Sequence, residues 1–329
     1  MRHPGPCGGR VFRMVAALLF LPGTLCFAQG AAFPSRPITI IVNSVAGGPV
    51  DNPARAIKDP LAAILGQPVI VDNRPSASGT TGAGLVAKSP PNGYTLLLTG
   101  AGPIVTSPQL VKNLPYEAQE LAPIAFAGYA PLLLVVGPAS EAKTLAELVA
   151  LARRKPGQVT FATAGNGTPT HVSSESLKAL AGVELVHVPY RGLPQMMLAV
   201  MSNEVSMAFT SLTFMEQVRS GKLRALAVSS SQRLKAAPEL PTFAEQGFAD
   251  LLVVAWFGLF APVATPPEIQ AQLSQAALKA LADPQARELY ARYHGVEPNP
   301  LGPAEFAKII QSDRERIGKM IASGRIQAE

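Results

Sequence analysis

Residues 42–56 read VNSVAGGPVDNPARA and complete a β-branched run, ITIIV, at 38–42. A strand ends there, two glycines and a proline turn the chain, and an aspartate stands where a helix begins. No Lys-Ser or Lys-Thr pair follows the glycines, so this is not a nucleotide P-loop, and the dinucleotide fingerprint G-x-G-x-x-G is missing. A strand, a glycine turn and a helix start still make a cluster of free backbone N–H groups, which attracts anions.

Working outward, the first strand spans 37–42 and the helix 51–66, with Asp51 as N-cap, Pro53 in the first turn, Gly66 as the stop and Pro60 expected to kink or split it. The unit then recurs. Strand PVIVDN (68–73) leads through a glycine-serine turn at 76–79 to a short helix near 80–88, and a strand follows at 94–100. Strand VTFATA (159–164) leads through GNGTPT (165–170) to a helix over 171–182. Between them KTLAELVALARRKPG reads as an amphipathic helix capped by Thr144 and stopped by Pro156 and Gly157. Strand ELVHVPY, a helix over RGLPQMMLAVMSNE and strands VSMAFTS and LRALAVSS come next; the tail, 266–325, is helical with a short strand near 296–298.

Two long apolar stretches interrupt this alternation. LAPIAFAGYAPLLLVVGPA, residues 121–139, is uncharged and long enough to span a membrane. Pro123, Pro131 and Pro138 punctuate it, so two buried strands joined by a bend fit better than a helix. LLVVAWFGLFAP (251–262) is the second crossing. The fold expected is α/β, with parallel sheets carrying helices on both faces. It forms two α/β domains with a central cleft and two chain crossings: domain I from 29–125 plus 252–329, domain II from 126–251. A ligand belongs in the cleft, at the carboxyl ends of the strands.

The first 28 residues read as a secretory signal: Arg2, Arg10 and Arg13, then MVAALLFL, then CFA before Gln29, which puts the cut after Ala28 and the protein in the periplasm. A lipid anchor on Cys26 needs a small residue before it, and Leu25 is not small. Cleavage removes both cysteines, Cys7 and Cys26, and lowers the net charge from +6 to +3. No disulfide or cysteine metal site is then expected, and no cofactor. The scattered basic residues do not form a nucleic-acid surface. The chain lacks G-x-S-x-G and H-E-x-x-H, so it reads as a non-enzyme. The competing catalytic reading is a hydrolase using Ser44 or Ser211 with His171.

FPSRPITIIVNSVAGGPVD, LGQPVIVDNRPSASGTTGAGLVAKSPPNGYTLLL, FATAGNGTPTHVSSE, HVPYRG, ALAVSSSQRLKAAPELPTFAEQG and WFGLFAP occur in that order. Together they resemble the extracytoplasmic solute receptors of tripartite tricarboxylate transporters, the Bug-type receptors. The resemblance covers 33–329. It implies a type II periplasmic-binding-protein fold, a monomer that closes on a small mono-, di- or tricarboxylate. It also implies delivery to a membrane permease with one large and one small integral subunit; docking on a signalling partner is the alternative. Carried over, the first ligand loop holds Ser44, Val45, Ala46, Gly47 and Gly48; the second Arg74, Ser76, Ser78, Gly79 and Thr80; the third Ala164, Gly165, Asn166, Gly167 and Thr168. His171 lies behind the third loop, donating to a carboxylate or orienting the loop; Tyr190 and Arg191 form a turn beside it, with Arg191 as the cleft's positive charge. Arg74 braces its loop or meets the ligand. Trp256 and Phe257 pack at the hinge or act as an aromatic lid.

The sequence departs from the family pattern inside this region. Asn43 and Ser44 replace proline and an aromatic, Pro49 and Val50 replace glycine and threonine, and Ser76 and Ser78 replace glycines. Thr210, also expected to meet the ligand, stands where an aspartate often closes its strand, which disfavours ligands bearing an ammonium group.

Overall fold

The structure, a computed structural model, describes Met1, His3, Gly5 and residues 33–76, 79–235, 237–251, 253, 255–294, 298–324 and 326. The signal segment and most of the strand expected near 296–298 lie outside the described residues. The chain falls into two units, Met1–Ala32 and Phe33–Glu329, and the fold lies in the second.

In chain order the elements are β1 (Ile38–Val42), α1 (Asp51–Leu65), β2 (Val69–Asn73), α2 (Thr80–Ala87), β3 (Thr95–Gly100), a π-helical turn at Gly102–Thr106 running into α3 (Ser107–Leu110), β4 (Leu121–Tyr129), β5 (Leu132–Val136), α4 (Leu145–Arg154) and β6 (Thr160–Thr163). There follow α5 (Pro169–Ala181), β7 (Val186–Pro189), α6 (Leu193–Met201), β8 (Met207–Ser211), α7 (Met215–Arg219), β9 (Arg224–Val228), β10 (Trp256–Pro262), α8 (Pro267–Ala282), α9 (Pro284–His294) and α10 (Pro303–Ala322).

The strands form two five-stranded sheets, β2-β1-β3-β10-β4 and β7-β6-β8-β5-β9. Both start from the same βαβαβ unit, whose three strands pair in parallel. The expectation of purely parallel sheets is corrected beyond that unit. β10 runs antiparallel to β3 and β4, and β5 antiparallel to β8 and β9. A crossing strand enters from the other sheet, so no helical crossover fixes its direction.

The stretch at 121–139 forms two strands, as its prolines indicate: β4 in the first sheet and β5 in the second. The outgoing and returning segments meet where the Ala130 N–H donates to the Ala255 carbonyl (2.8 Å). Among the described residues no helix is long and apolar enough to cross a membrane.

β1 and β3 are buried on both faces, which is why they read as unbroken apolar runs. Ile38, Ile40 and Val42 face Ala54, Ile57 and Leu61 of α1, while Ile41 faces Ala83 and Val86 of α2. One core cluster runs from this sheet through Ala127, Ala130 and Leu132 to Phe161 and Phe209 of the second. α1 is assigned as one helix through Pro60, so it is not split. Thr144 caps α4 as read, accepting from the Glu147 N–H at 3.1 Å.

The returning strand is locked by the tail. Phe306 of α10 is fully buried and its ring meets Phe126, Trp256 and Phe260 at centroid distances of 5.3, 5.1 and 5.2 Å. Gly258 leaves the space it fills, since a side chain there would collide with the ring. The indole N–H of Trp256 donates to Asp313 of α10 (2.9 Å). Trp256 therefore packs in the core beside the crossing and is not a lid. Phe306→Ala should cost about 3–5 kcal/mol of unfolding free energy. Urea titration followed by circular dichroism measures it; a loss under 1 kcal/mol would show that α10 is not what locks β10 in place.

Candidate functional site

Because β1 and β2 are parallel with Val42 opposite Asn73, the loops that follow them emerge side by side. Asp51 joins them. Its fully buried carboxylate accepts from the Gly47 N–H (2.7 Å), Arg55 Nε (2.6 Å) and Asn73 Nδ2 (2.8 Å). Asn73 Nδ2 also donates to the Ser44 carbonyl (3.0 Å), and its Oδ1 accepts from Arg55 Nη2 (3.2 Å). Burial raises the Asp51 pKa, but the hydrogen bonds from Arg55, Gly47 and Asn73 and the Arg55 charge together bring it below its usual value.

Two expectations change here. Asp51 is the first helical residue and not the N-cap, which falls at Val50. The Gly47 and Gly48 N–H groups are not free for an anion: Gly47 bonds Asp51, and Gly48 bonds the Val45 carbonyl (3.0 Å). The glycines serve loop shape instead. Gly47 has φ +75°, and a Cβ on Gly48 would sit 2.9 Å from the Val45 carbonyl. Val45, at the tip, is exposed.

In the second loop Arg74 pairs with Asp72 (3.0 Å), so it braces the strand end. Ser76 organises the start of α2: its carbonyl accepts from the Gly79 N–H (3.1 Å) and its hydroxyl from the Thr81 N–H (3.2 Å), with Thr80 the first helical residue. A side chain on Gly79 would collide with the amide of Asn43. Ser78 lies outside the described residues.

The third loop is folded on itself in the same way. Ala164 N–H donates to Thr170 Oγ1 (3.1 Å), Gly165 N–H to Thr163 Oγ1 (3.3 Å) and Gly167 N–H to His171 Nδ1 (3.2 Å). Thr168 Oγ1 donates to the Gly165 carbonyl (2.7 Å), and Asn166 is half-buried between the glycines. Gly165 N–H is therefore also engaged within the chain. His171 orients the loop, the second of its two expected roles. Burial, then His187 and Lys178, lower its pKa to about 4, so it is neutral near pH 7. A Cβ on Gly167 would lie 3.3 Å from Leu110 and 3.4 Å from Thr106, so this loop of the second sheet comes close to the segment that follows β3 of the first.

The Tyr190 N–H bonds the Thr163 carbonyl (2.9 Å) and its hydroxyl donates to Glu204 (3.2 Å), while Arg191 is exposed. Thr210 is fully buried at the end of β8, and its Oγ1 makes no hydrogen bond within the chain. The pairing of Ala162 with Ala208 carries it alongside Ala164. Asn43 Oδ1, Ser107 Oγ and Ser173 Oγ are buried and unpartnered too. A buried polar group left so costs about 1–3 kcal/mol, which a polar ligand or water would recover. The sequence placed Thr210 among the ligand contacts, flagged Asn43 only as a departure, and missed Ser107, Ser173 and the bracing role of Asn73.

Neither Ser44 nor Ser211 makes a hydrogen bond to His171. Ser44 Oγ donates to its neighbour's carbonyl, Ser211 Oγ pairs with Thr213, and His171 Nδ1 is taken by Gly167. Among the described residues no three His, Cys, Asp or Glu side chains gather as a metal site.

The family description "tripartite tricarboxylate transporter family receptor" matches residues 53–325. A protein encoded in the tcbD–tcbE intergenic region of Pseudomonas sp. strain P51 is 37% identical over 300 residues, 90% of this chain and 89% of that one. Three solved structures superimpose over most of their length. The periplasmic binding protein BugD has TM-score 0.79 and 30% identity, covering 90% of this chain and 100% of its own. An R. palustris protein with adipate has TM-score 0.81 and 28% identity, covering 90% and 99%. MatC from Rhodopseudomonas palustris with bound malate has TM-score 0.76 and 29% identity, covering 88% and 100%.

Asp51→Asn keeps the shape but removes the charge that Arg55 and Gly47 bind. It should lower unfolding free energy at pH 7 by about 1–3 kcal/mol. The wild-type advantage is complete above the ordinary value of 3.8 and disappears as pH falls through the lower folded value, because only the ionised carboxylate is favoured by folding. Denaturant titrations at several pH values check this; an Asn variant as stable as the wild type at pH 7 would leave the network without energetic weight.

Proposed function

This chain belongs to the tripartite tricarboxylate transporter receptor family, and we propose that it captures a small carboxylate between its two sheets and hands it to a membrane permease with one large and one small integral subunit. The observation that carries this reading is the set of three self-braced glycine loops at the carboxyl edges of both sheets, beside buried polar side chains that have no partner in the chain. The adipate and malate held by two structurally similar proteins favour a dicarboxylate. Thr210 adds a neutral hydroxyl and no acid, which favours a plain or hydroxylated acid over an amino acid.

In this reading the ligand contacts come from 44–48, 74–80 and 164–168, with Tyr190, Arg191 and Thr210 beside them. The protein works as a monomer in the periplasm after cleavage following Ala28, and its domains are 29–125 plus 252–329 and 126–251. Self-bonded loops keep their shape before the ligand arrives, so less ordering entropy opposes binding.

Thermal-shift measurement of the mature protein against succinate, malate, adipate and citrate tests this. A bound member at 100 times its Kd should stabilise the protein by about 2.7 kcal/mol. No shift from any of the four, or a ligand recovered chemically altered, would overturn the reading. Gly165→Val offers a second check. Gly165 has φ +116°, and a Cβ there meets nothing closer than 4.0 Å, so the change strains the loop without crowding the core. Calorimetry with the ligand found by the screen should give at least about a tenfold weaker Kd, the equivalent of 1.4 kcal/mol. Unchanged affinity would make the third loop only a turn.

A further inference from the structure

Three rings are stacked behind the third loop. Phe161 of β6 lies 4.9 Å from His187 of β7 at 15°, and His187 lies 4.4 Å from His171 of α5 at 13°. Both ends of the loop hang from this stack. The Gly167 N–H donates to His171 Nδ1 (3.2 Å). The Gly165 N–H donates to Thr163 Oγ1, which in turn lies 2.7 Å from His187 Nε2. We propose that His171, with His187 stacked behind it, is a positioning residue that holds the 164–168 loop in its ligand-binding shape only while its ring is neutral, so that acid opens the loop and releases the cleft's ligand. The ligand clause rests on the function proposed above; the opening of the loop does not.

The hydrogen bond from Gly167 requires a neutral His171 ring. A backbone N–H can only donate, so His171 Nδ1 must be an acceptor and the ring proton sits on Nε2. A second proton puts an N–H where the Gly167 N–H points, and two donors then face each other. At Thr163 the hydroxyl accepts from Gly165 and keeps both its O–H and a second lone pair for His187 Nε2, so that contact forms in either protonation state of His187. Two parallel imidazoles 4.4 Å apart also cannot both be charged cheaply.

Among the described residues no carboxylate favours a charge on either ring. α5 brings Lys178, which opposes a charge on either ring, and the buried Glu175, which is paired with Lys178 at 3.6 Å. β6 contributes Phe161 and Thr163, and β7 contributes His187 itself. Across from the loop, Thr106 and Leu110 are uncharged. Burial first, then these cations, hold both histidines below the ordinary 6.5, with His171 at about 4. The sign follows. An opened loop binds a proton with ordinary affinity and the closed loop resists it, so the penalty on closure is absent above pH 6.5 and grows as pH falls toward 4. Gly167 also lies close to Thr106 and Leu110, so opening would move the loop away from the segment that follows β3.

Deuterium exchange of the ligand-free protein, followed on peptides spanning 161–172 and corrected for intrinsic rates, tests the loop directly. The wild type should lose protection on the order of tenfold per pH unit between 6.5 and 4.5. His171→Asn offers a carbonyl oxygen to Gly167 and does not titrate, so its protection should stay within about twofold over the same range. Circular dichroism at each pH separates loop opening from acid unfolding. Flat protection in the wild type, or an equal fall in His171→Asn, overturns the proposal. Should His171→Asn fail to fold, the wild type alone decides. The fall must level off where the His171 ring titrates in the folded protein, read by NMR, and a fall that continues unchanged below that pH overturns the proposal. Because no ligand is used, this outcome is independent of the thermal-shift screen.

Discussion

The arrangement depends on one strand in the wrong place for a simple chain. β10 sits between β3 and β4, antiparallel to both, so the first sheet is completed by a segment that has already passed through the second. Everything near the crossing serves to keep it there. Ala130 bonds Ala255, the Tyr290 hydroxyl donates to the Tyr129 carbonyl (3.1 Å), and Trp256 reaches Asp313. Burial holds the Asp313 pKa up, against the Trp256 hydrogen bond and Arg316. The two sheets thus share one apolar core across the crossing.

The loops on either side follow a common rule: they satisfy themselves first. Glycines at the ends of β1, β2 and β6 look like offered donors, yet the amides of Gly47, Gly48, Gly79, Gly165 and Gly167 bond within their own neighbourhoods. A buried carboxylate, Asp51, does for the first loop what an imidazole and two threonines do for the third. The glycines are needed for backbone shape, and binding groups must come from what those shapes hold in place. Buried hydroxyls at Ser107, Ser173 and Thr210, drawn from both halves of the chain, are among the groups whose needs the chain itself does not meet.

Much of this was legible in the sequence. Doubly buried β1 and β3 announced themselves as ITIIV and TLLL, the cap at Thr144 by its acid three residues on, and the 121–139 stretch as two strands by its prolines. Strand direction was not legible, because a period of two is the same read either way; β5 and β10 were therefore assigned to parallel sheets. Asp51 was misread because an aspartate before a helix gives one signal whether it caps the backbone or reaches back to Gly47 and sideways to Asn73. Asn73 and the Phe161–His187–His171 stack were invisible for a plainer reason. Their partners are brought together by sheet register, and no local pattern encodes it.

The position of β10 also sets an order of assembly. A chain delivered from its N-terminus presents β1, β2, β3 and β4 early, but β3 and β4 do not pair with each other. Their facing edges stay open until residues 256–262 arrive, after the whole second sheet has been made. The half of the protein that begins first therefore finishes last. Until then it carries two unpaired strand edges, the feature that invites mispairing between chains. Successful folding requires the second sheet to form promptly, so that β10 is delivered to the gap before another chain's strand can fill it.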